Sequence, residues 1–215
     1  MRKLFLAFLL LNALLVCAQT PEVRKYAARK ISATTPKIDG KLDEPLWNEA
    51  WWENHFVQYE PYEGRDPSQT TTFAVCYDDN NLYVAMRMDD NSADSIVQRL
   101  TRRDEIDGDV AGIIFDSYGD SRTGFAFAVT AAGVKYDYLI SNDGEQEDET
   151  WNPIWWAETS RDSLGWYAEM RIPLTQVRFN EADIQQWGFQ AARYIFRKDE
   201  MSLWQSSTRK KSGFV

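Results

Sequence analysis

Apolar and polar residues alternate from Trp166 to Ile172, and Pro173 follows directly. A period of two places the apolar side chains on one face of a β-strand, which ends at the proline because proline cannot donate to a sheet ladder. Similar short runs recur at residues 70–77, 82–88, 110–115 and 187–196, between turns rich in Asp, Asn and Gly. Many strands, short turns and no long amphipathic helix pattern predict an all-β chain. The expected fold is an antiparallel two-sheet β-sandwich of the immunoglobulin or jelly-roll type.

The N-terminus has the pattern of a secretion signal. Arg2 and Lys3 precede an apolar run from Leu4 to Val16, and small residues follow up to Ala18. We expect cleavage after Ala18, because a basic start, an apolar run and small residues are what signal peptidase recognises. The apolar run is too short to span a bilayer comfortably.

One domain is expected after the signal, because the 215-residue chain is long enough for a single substantial core and little more. We divide the chain into a signal peptide at 1–18, a lead-in at 19–36, a β-sandwich at 37–205 and the start of a linker at 206–215. The last residues match neither a terminal strand nor a tail. We therefore expect them to lead into a further C-terminal region of a longer protein.

The charge balance excludes one class of partner. The chain carries a net charge of −9, and loss of Arg2 and Lys3 with the signal lowers it to about −11. Such a chain repels a phosphate backbone and has no basic patch, so no nucleic-acid partner is expected. Cys76 is the one cysteine left after cleavage, which excludes an internal disulfide. A single thiol and the single His55 also disfavour a zinc site.

The nine tryptophans are the main candidates for ligand contact. Indole rings provide flat apolar faces on which sugars stack. Trp151, Trp155 and Trp156 follow an acidic loop, and we select Trp151 and Trp155 as the binding pair with Trp52 as a further candidate. Neighbours on a strand face opposite sides, so Trp155 or Trp156 must point inward. The periodic patterns assign core positions to Trp47, Trp166 and Trp187.

A dense polar cluster precedes the strand at 110–115. It contains Arg102, Arg103, Asp104, Asp107 and Asp109. Arginines and carboxylates bond well to vicinal hydroxyls, so Arg102, Arg103 and Asp109 could form the polar wall of a sugar site. The alternative is an Arg–Asp network that fixes the loop.

Motifs along the chain occur in a recognisable order. They are Ile38-Asp39-Gly40, Leu42-Asp43-Glu44 with Trp47, Asp78 with Leu82-Tyr83-Val84, Asp109 with Ile113-Ile114-Phe115-Asp116, the run Gly165 to Pro173, and Trp187-Gly188-Phe189. In this order the chain resembles family 9 carbohydrate-binding modules from about Ile38 to Tyr194. It is most similar to a subgroup from Bacteroidetes-like bacteria in which such a domain follows a signal peptide and precedes an outer-membrane-type β-barrel.

The resemblance implies a sandwich fold, sugar binding between tryptophans and a structural calcium ion. Calcium takes six to eight oxygen ligands. Asp89, Asp90 and Asp143 are the residues that could supply some of them, although neither acidic stretch fits an EF-hand loop.

Enzymatic chemistry has less support. A Ser-His-Asp triad would require His55, which lies among aromatic residues. A glycosidase needs only two carboxylates, and Glu169 stands at a polar position of the alternating strand. The alternative is a structural role, in which Glu169 pairs with Arg171 or with a neighbouring strand.

We therefore predict a non-catalytic, exported domain that binds a glycan and serves carbohydrate catabolism. Its location would be the periplasm, the outer membrane or the surface of a Gram-negative bacterium, with a C-terminal β-barrel in the same polypeptide as partner. One alternative is a plug-like periplasmic domain that binds no sugar and buries Trp151 and Trp155. The other is part of a glycoside hydrolase.

Overall fold

The computed structural model of this chain describes residues 23–31 and 35–207, without the side chain of Asp143. The expected signal peptide and the residues from 208 onward lie outside this part. In chain order the elements are β1 (Arg29–Lys30), α1 (Pro45–Glu49), β2 (Val57–Glu60), β3 (Thr71–Tyr77), β4 (Asn81–Asp89), β5 (Val110–Asp116), β6 (Gly124–Thr130), β7 (Lys135–Ser141), β8 (Gln146–Asp148), β9 (Trp156–Arg161), β10 (Gly165–Pro173), β11 (Gly188–Ile195) and β12 (Glu200–Leu203).

The strands form two sheets, as the sequence predicts. One sheet has five strands in the order β1-β3-β4-β10-β9, and the other has seven in the order β2-β12-β11-β5-β6-β7-β8. All pairs are antiparallel except the short parallel pair β1/β3. The antiparallel two-sheet β-sandwich is therefore confirmed.

The alternating segment lies in β10, an interior strand of the five-stranded sheet between β4 and β9. Its apolar positions, among them Trp166 and Met170, face the seven-stranded sheet and are fully buried. Pro173 is the last residue of the strand, as its missing N–H requires. Trp47 and Trp166 are each 1% exposed, which confirms their core assignment, whereas Trp187 is only half-buried.

A second apolar cluster covers the outer face of the five-stranded sheet. Trp47, from α1, packs there on Tyr83 and Ala85 of β4. The segment before and after α1 adds partly buried side chains, including Leu42 and Trp52. Both faces of this sheet are therefore covered around its centre, and only its edges stay open.

The helical elements are short, in agreement with the absence of a long amphipathic helix pattern in the sequence. α1 begins at Pro45 with Glu44 as its N-cap and no capping side-chain bond. Single 3₁₀ turns occur at Ala93–Ser95 and Leu174–Gln176, among other places.

Arg193 ties the two sheets together. It belongs to β11 in the seven-stranded sheet, points into the sandwich and is 1% exposed. Its Nη1 donates to the carbonyl oxygens of Thr70 at 3.0 Å and Asp89 at 2.9 Å, which flank β3 and end β4. Burial lowers the pKa of Arg193 to about 10, so the guanidinium stays charged at neutral pH. Its charge is offset by Asp90, 3.8 Å away.

We expect Arg193→Met to lower the free energy of unfolding by about 3–5 kcal/mol, because it leaves buried carbonyl oxygens without their donor and removes a buried positive charge that faces the Asp90 carboxylate. Urea denaturation followed by tryptophan fluorescence measures this change. Arg161→Met, at an exposed position of β9, is the matched control and should cost less than about 0.5 kcal/mol. Equal losses in the two variants would contradict the bridging role.

Candidate functional site

Trp155 does not form a stacking surface. It is 1% exposed, its Nε1 donates to Asp137 Oδ1 at 2.8 Å, and its ring packs edge-on against Phe127 at 5.3 Å. The prediction that Trp155 contacts ligand is wrong, because an indole enclosed on all sides has no face left for a sugar. Trp156, the next residue, points outward as strand alternation requires.

Trp151 and Trp52 are half-buried and mainly serve packing. Trp151 contacts Phe125 and Phe127, each at 5.4 Å between ring centroids. Trp52 donates its Nε1 to the carbonyl oxygen of Trp47, and the Arg87 guanidinium lies 3.9 Å over its ring. The structure corrects the expectation for Trp52, whose ring is covered by Arg87. A ligand contact by Trp151 stays a prediction.

The polar cluster before β5 does not form a wall. Asp109 is fully buried, and its Oδ1 accepts from the backbone N–H groups of Val97 and Phe196, each at 3.3 Å. Asp109 was expected to contact ligand, and its burial contradicts this. Arg103 donates to Asp137 at 2.6 Å and holds the loop, as the structural alternative proposed. Arg102 alone is exposed.

One of the three predicted calcium ligands, Asp90, does not fit calcium. Asp90 is 3% exposed, and Arg197 grips both of its oxygens at 2.7 Å. Burial raises the pKa of Asp90, but the hydrogen bonds and the charge of Arg197 lower it further than burial raises it. The pKa of Asp90 therefore lies below its ordinary value. Asp89 is exposed, and the side chain of Asp143 lies outside the described part. Asp90 is therefore contradicted as a calcium ligand, because an arginine already neutralises its buried carboxylate, whereas Asp89 and Asp143 stay predictions.

A different acidic group lies under the segment that covers the five-stranded sheet. Carboxylate oxygens of Asp39, Glu44 and Glu169 lie within 4.8 Å of one another, the one cluster with metal-like spacing among the described residues. Glu169 Oε2 accepts from the backbone N–H groups of Asp39 at 3.0 Å and Gly40 at 2.9 Å, and Oε1 accepts from Trp47 Nε1 at 2.7 Å.

This arrangement is a clamp for the covering segment. Gly40 has a φ of +77°, and a Cβ there would lie 2.6 Å from the Thr159 backbone, so only glycine fits. Lys37 pairs with Asp39 at 2.8 Å. Protein donors satisfy Glu169 and Asp39, whereas Glu44 Oε2 is buried without a hydrogen-bond partner in the described part of the chain. Glu169 is fully buried, pairs with neither Arg171 nor a neighbouring strand, and cannot reach a substrate.

Burial raises the pKa of Glu169 to about 7, the N–H donors of Trp47 and Asp39 oppose this shift, and the Glu44 carboxyl adds to it. Glu169 therefore keeps its proton at mildly acidic pH.

The free energy of unfolding should fall as the pH rises from 4.5 to about 7, because in this window the folded chain holds a proton that the unfolded chain has lost. The loss should be of the order of 1–3 kcal/mol. Glu169→Gln has no such titration and should show a flatter pH profile, although it is less stable at every pH. Denaturation at several pH values measures both slopes. Parallel slopes would contradict the raised pKa of Glu169.

An open pocket lies at the β3 edge of the five-stranded sheet, where Glu53 pairs with Phe73 of β3. Its volume is about 380 Å³, and its wall includes Asn54, His55, Asp66 and Thr70, with Phe56 as an apolar part. We call this pocket, together with Trp51 and Glu53, the Trp51 pocket.

Trp51 is linked to this pocket by a short chain of contacts that ends at the lining residue His55. Its Nε1 donates to Glu53 Oε1 at 2.8 Å, and Glu53 Oε2 lies 3.4 Å from His55 Nδ1. The Glu53 backbone is fixed by two hydrogen bonds to Phe73, at 3.0 and 2.9 Å. The indole is nonetheless 66% exposed. It is therefore a positioned and accessible aromatic surface.

The selection of candidate residues from the sequence missed Trp51 and Glu53. A signal was present, because Trp51, Glu53 and His55 alternate along an extended segment and so share one side. The lining residues Asp66 and Thr70 come from a loop that only the fold brings to this place.

With the fold and pocket described, comparison with known proteins identifies the family. The model for carbohydrate family 9 binding domain-like proteins matches residues 38–208, so the chain belongs to this family. It is a family of binding modules rather than of catalytic domains. No curated protein matches the chain.

Solved structures agree with this assignment. A family 9 module from Caldicellulosiruptor kristjanssonii in complex with glucose superposes with a TM-score of 0.57 at 18% identity, covering 83% of this chain and 85% of that one. The cellotriose complex gives 0.54 at 17% identity, covering 82% of each chain. A protein of Bacteroides uniformis proposed to bind carbohydrate gives 0.66 at 12% identity, covering 90% of this chain and 94% of that one. At these identities the likeness establishes the fold.

None of the helices in the described residues is both long and apolar enough to cross a bilayer.

Proposed function

We propose that this protein is an exported, non-catalytic carbohydrate-binding module that holds a sugar at the Trp51 pocket. The observation that carries the proposal is the exposed indole of Trp51, fixed by Glu53 beside an open polar pocket. The family supports it, and so do the related modules that bind glucose and cellotriose.

The pocket offers the two kinds of contact that a sugar needs. The Trp51 ring supplies an apolar face for the C–H groups of a pyranose. Asn54, Asp66 and Thr70 are exposed polar residues in the wall and can bond hydroxyl groups. The volume of about 380 Å³ lies at the lower end of the range for small-molecule sites, which suits one or two sugar units.

The ligand class follows from charge and from the relatives. The net charge of −9 disfavours polyanions, and the related modules hold neutral glucose-based sugars. We infer a neutral glucan or a related plant polysaccharide as the target, in service of carbohydrate breakdown. Export to the periplasm or cell surface, a Bacteroidetes-type origin and a C-terminal barrel belong to the same proposal.

One observation favours a second candidate, a plug-like domain that binds no sugar. Trp155 is enclosed in the core and Trp151 is half-buried, as that hypothesis requires. The plug-like hypothesis assigns no role to Trp51, however, and so does not account for the exposure of its indole.

Trp51→Ala should weaken binding of cellotriose about tenfold or more, because it removes the stacking surface. Isothermal titration calorimetry measures the affinity, and Asn54→Ala should give a smaller loss through one hydroxyl contact. Tyr118→Ala, an aromatic residue 37% exposed and outside the pocket, is the control and should bind like the parent chain. Unchanged binding by Trp51→Ala would remove the Trp51 pocket from the proposal. No binding by the parent chain across a glycan panel would favour the plug-like domain.

A further inference from the structure

Trp156 is a second exposed indole, on the edge of the five-stranded sheet opposite the Trp51 pocket. It begins β9, the last strand of that sheet, and is 44% exposed on the outer face. Because β9 is an edge strand, no neighbouring strand lies on its far side. Ile154, two residues earlier and 66% exposed, extends the same apolar surface.

Arg171 stands directly opposite Trp156 on β10, and its guanidinium lies 3.9 Å from the indole centroid. This stacking fixes the ring from one side. Within the described residues, Arg171 forms no ion pair and its side chain donates no hydrogen bond to the protein. Its Nε is buried and has no partner. The two Nη groups are not buried, so their donors are available to a ligand.

Trp52 and Arg87 show that the same pairing can serve packing alone. Their ring-to-guanidinium distance is also 3.9 Å, but Trp52 donates its Nε1 to Trp47 and is half-buried within the outer cluster. Trp156 belongs to neither apolar cluster and has no hydrogen-bond partner in the described part of the chain. Packing therefore accounts for the Trp52 pair and leaves the Trp156 pair unexplained.

A third group completes the surface. Glu158 follows Trp156 by two residues on β9, so it stands on the same outer face, and it is exposed. An apolar ring, a set of N–H donors and a carboxylate acceptor thus lie side by side. This combination matches a neutral pyranose, which presents C–H groups on one face and hydroxyl groups around its rim.

We propose that Trp156, Arg171 and Glu158 form a second carbohydrate-binding site, the Trp156 platform, for a neutral pyranose unit. The indole stacks on the sugar ring, Arg171 donates to its hydroxyl oxygens and Glu158 accepts from a hydroxyl. The platform has no end wall, so it takes an internal unit of a polysaccharide as readily as a terminal one.

The platform and the Trp51 pocket are separate sites. Strands β9, β10, β4 and β3 lie side by side, and residue 53 pairs on the far side of β3. Four strand spacings of about 4.8 Å separate the two edges by roughly 19 Å. One disaccharide cannot reach both sites, whereas one polysaccharide chain can, and binding to a polymer then gains from two attachments.

The test is calorimetry of the full chain with cellobiose as the probe. The parent chain should bind two molecules, and Trp156→Ala should bind one with the remaining affinity unchanged. Arg171→Met should weaken the second site about three- to tenfold, since it removes the donors and the stacked cation. Arg161→Met, exposed on the same strand, is the matched control and should bind like the parent chain.

A second measurement guards against misfolding. Trp156→Phe keeps an aromatic ring at this position but has no indole N–H group. The indole N–H signal that is present in the NMR spectrum of the parent chain and absent from that of the variant therefore belongs to Trp156. That signal should shift when cellobiose is added. Binding to a soluble glucan in affinity electrophoresis should weaken at least tenfold in Trp156→Ala, because the double attachment is lost.

The outcomes separate this inference from the function proposed above. If Trp156→Ala keeps the parent stoichiometry and the indole signal stays fixed, the platform is overturned, while loss of binding in Trp51→Ala would still support the pocket. If Trp156→Ala alone loses binding, the platform stands and the pocket does not. A site that responds only to uronic-acid sugars would overturn the assignment to neutral pyranoses.

Discussion

A buried cation holds the two sheets of this sandwich in place. The Arg193 guanidinium has five N–H donors and no access to water, so its partners must come from the protein around it. Its Nη1 finds carbonyl partners at the ends of β3 and β4, across the core from its own strand. The charge also explains the acidic residues nearby, since Asp90 and Asp109 are buried at the same end. Carboxylates that could have served calcium or a ligand are used in the fold.

The clamp at Glu169 determines which surfaces remain open. It binds the backbone N–H groups at Asp39 and Gly40 and the indole of Trp47, and so lays residues 38–52 over the middle of the five-stranded sheet. The covering segment protects the centre of that face and leaves the two edges. Trp51 lies at one edge and Trp156 at the other, and both remain accessible. Both proposed binding sites therefore lie at the edges of the sheet, which the covering segment leaves open.

The tryptophans divide according to this architecture. Four of them, Trp47, Trp155, Trp166 and Trp204, are each 1% exposed and fill the interior. Trp51 and Trp156 are the two tryptophans among the large side chains exposed in the described part, and each is held by a charged neighbour, Glu53 or Arg171. A ring that is both accessible and fixed loses little freedom on binding, which favours affinity for a weakly bound ligand such as a sugar. Membership of the family 9 binding-domain family agrees with such a role.

The sequence by itself determined the all-β class, because the period of two in β10 and the short turns between strands require sheets with one buried face, and the order of motifs indicated the sandwich. It also determined the resemblance to binding modules and the core positions of Trp47 and Trp166. Which of Trp155 and Trp156 faces outward depends on the register with β10, and only the tertiary structure decided it. The same holds for Asp90 and Asp109, which look like ligands in sequence but meet arginine and backbone N–H groups in space. The exposure of a side chain depends on how segments distant in sequence pack together. The local sequence pattern therefore does not show which segment will cover a given side chain.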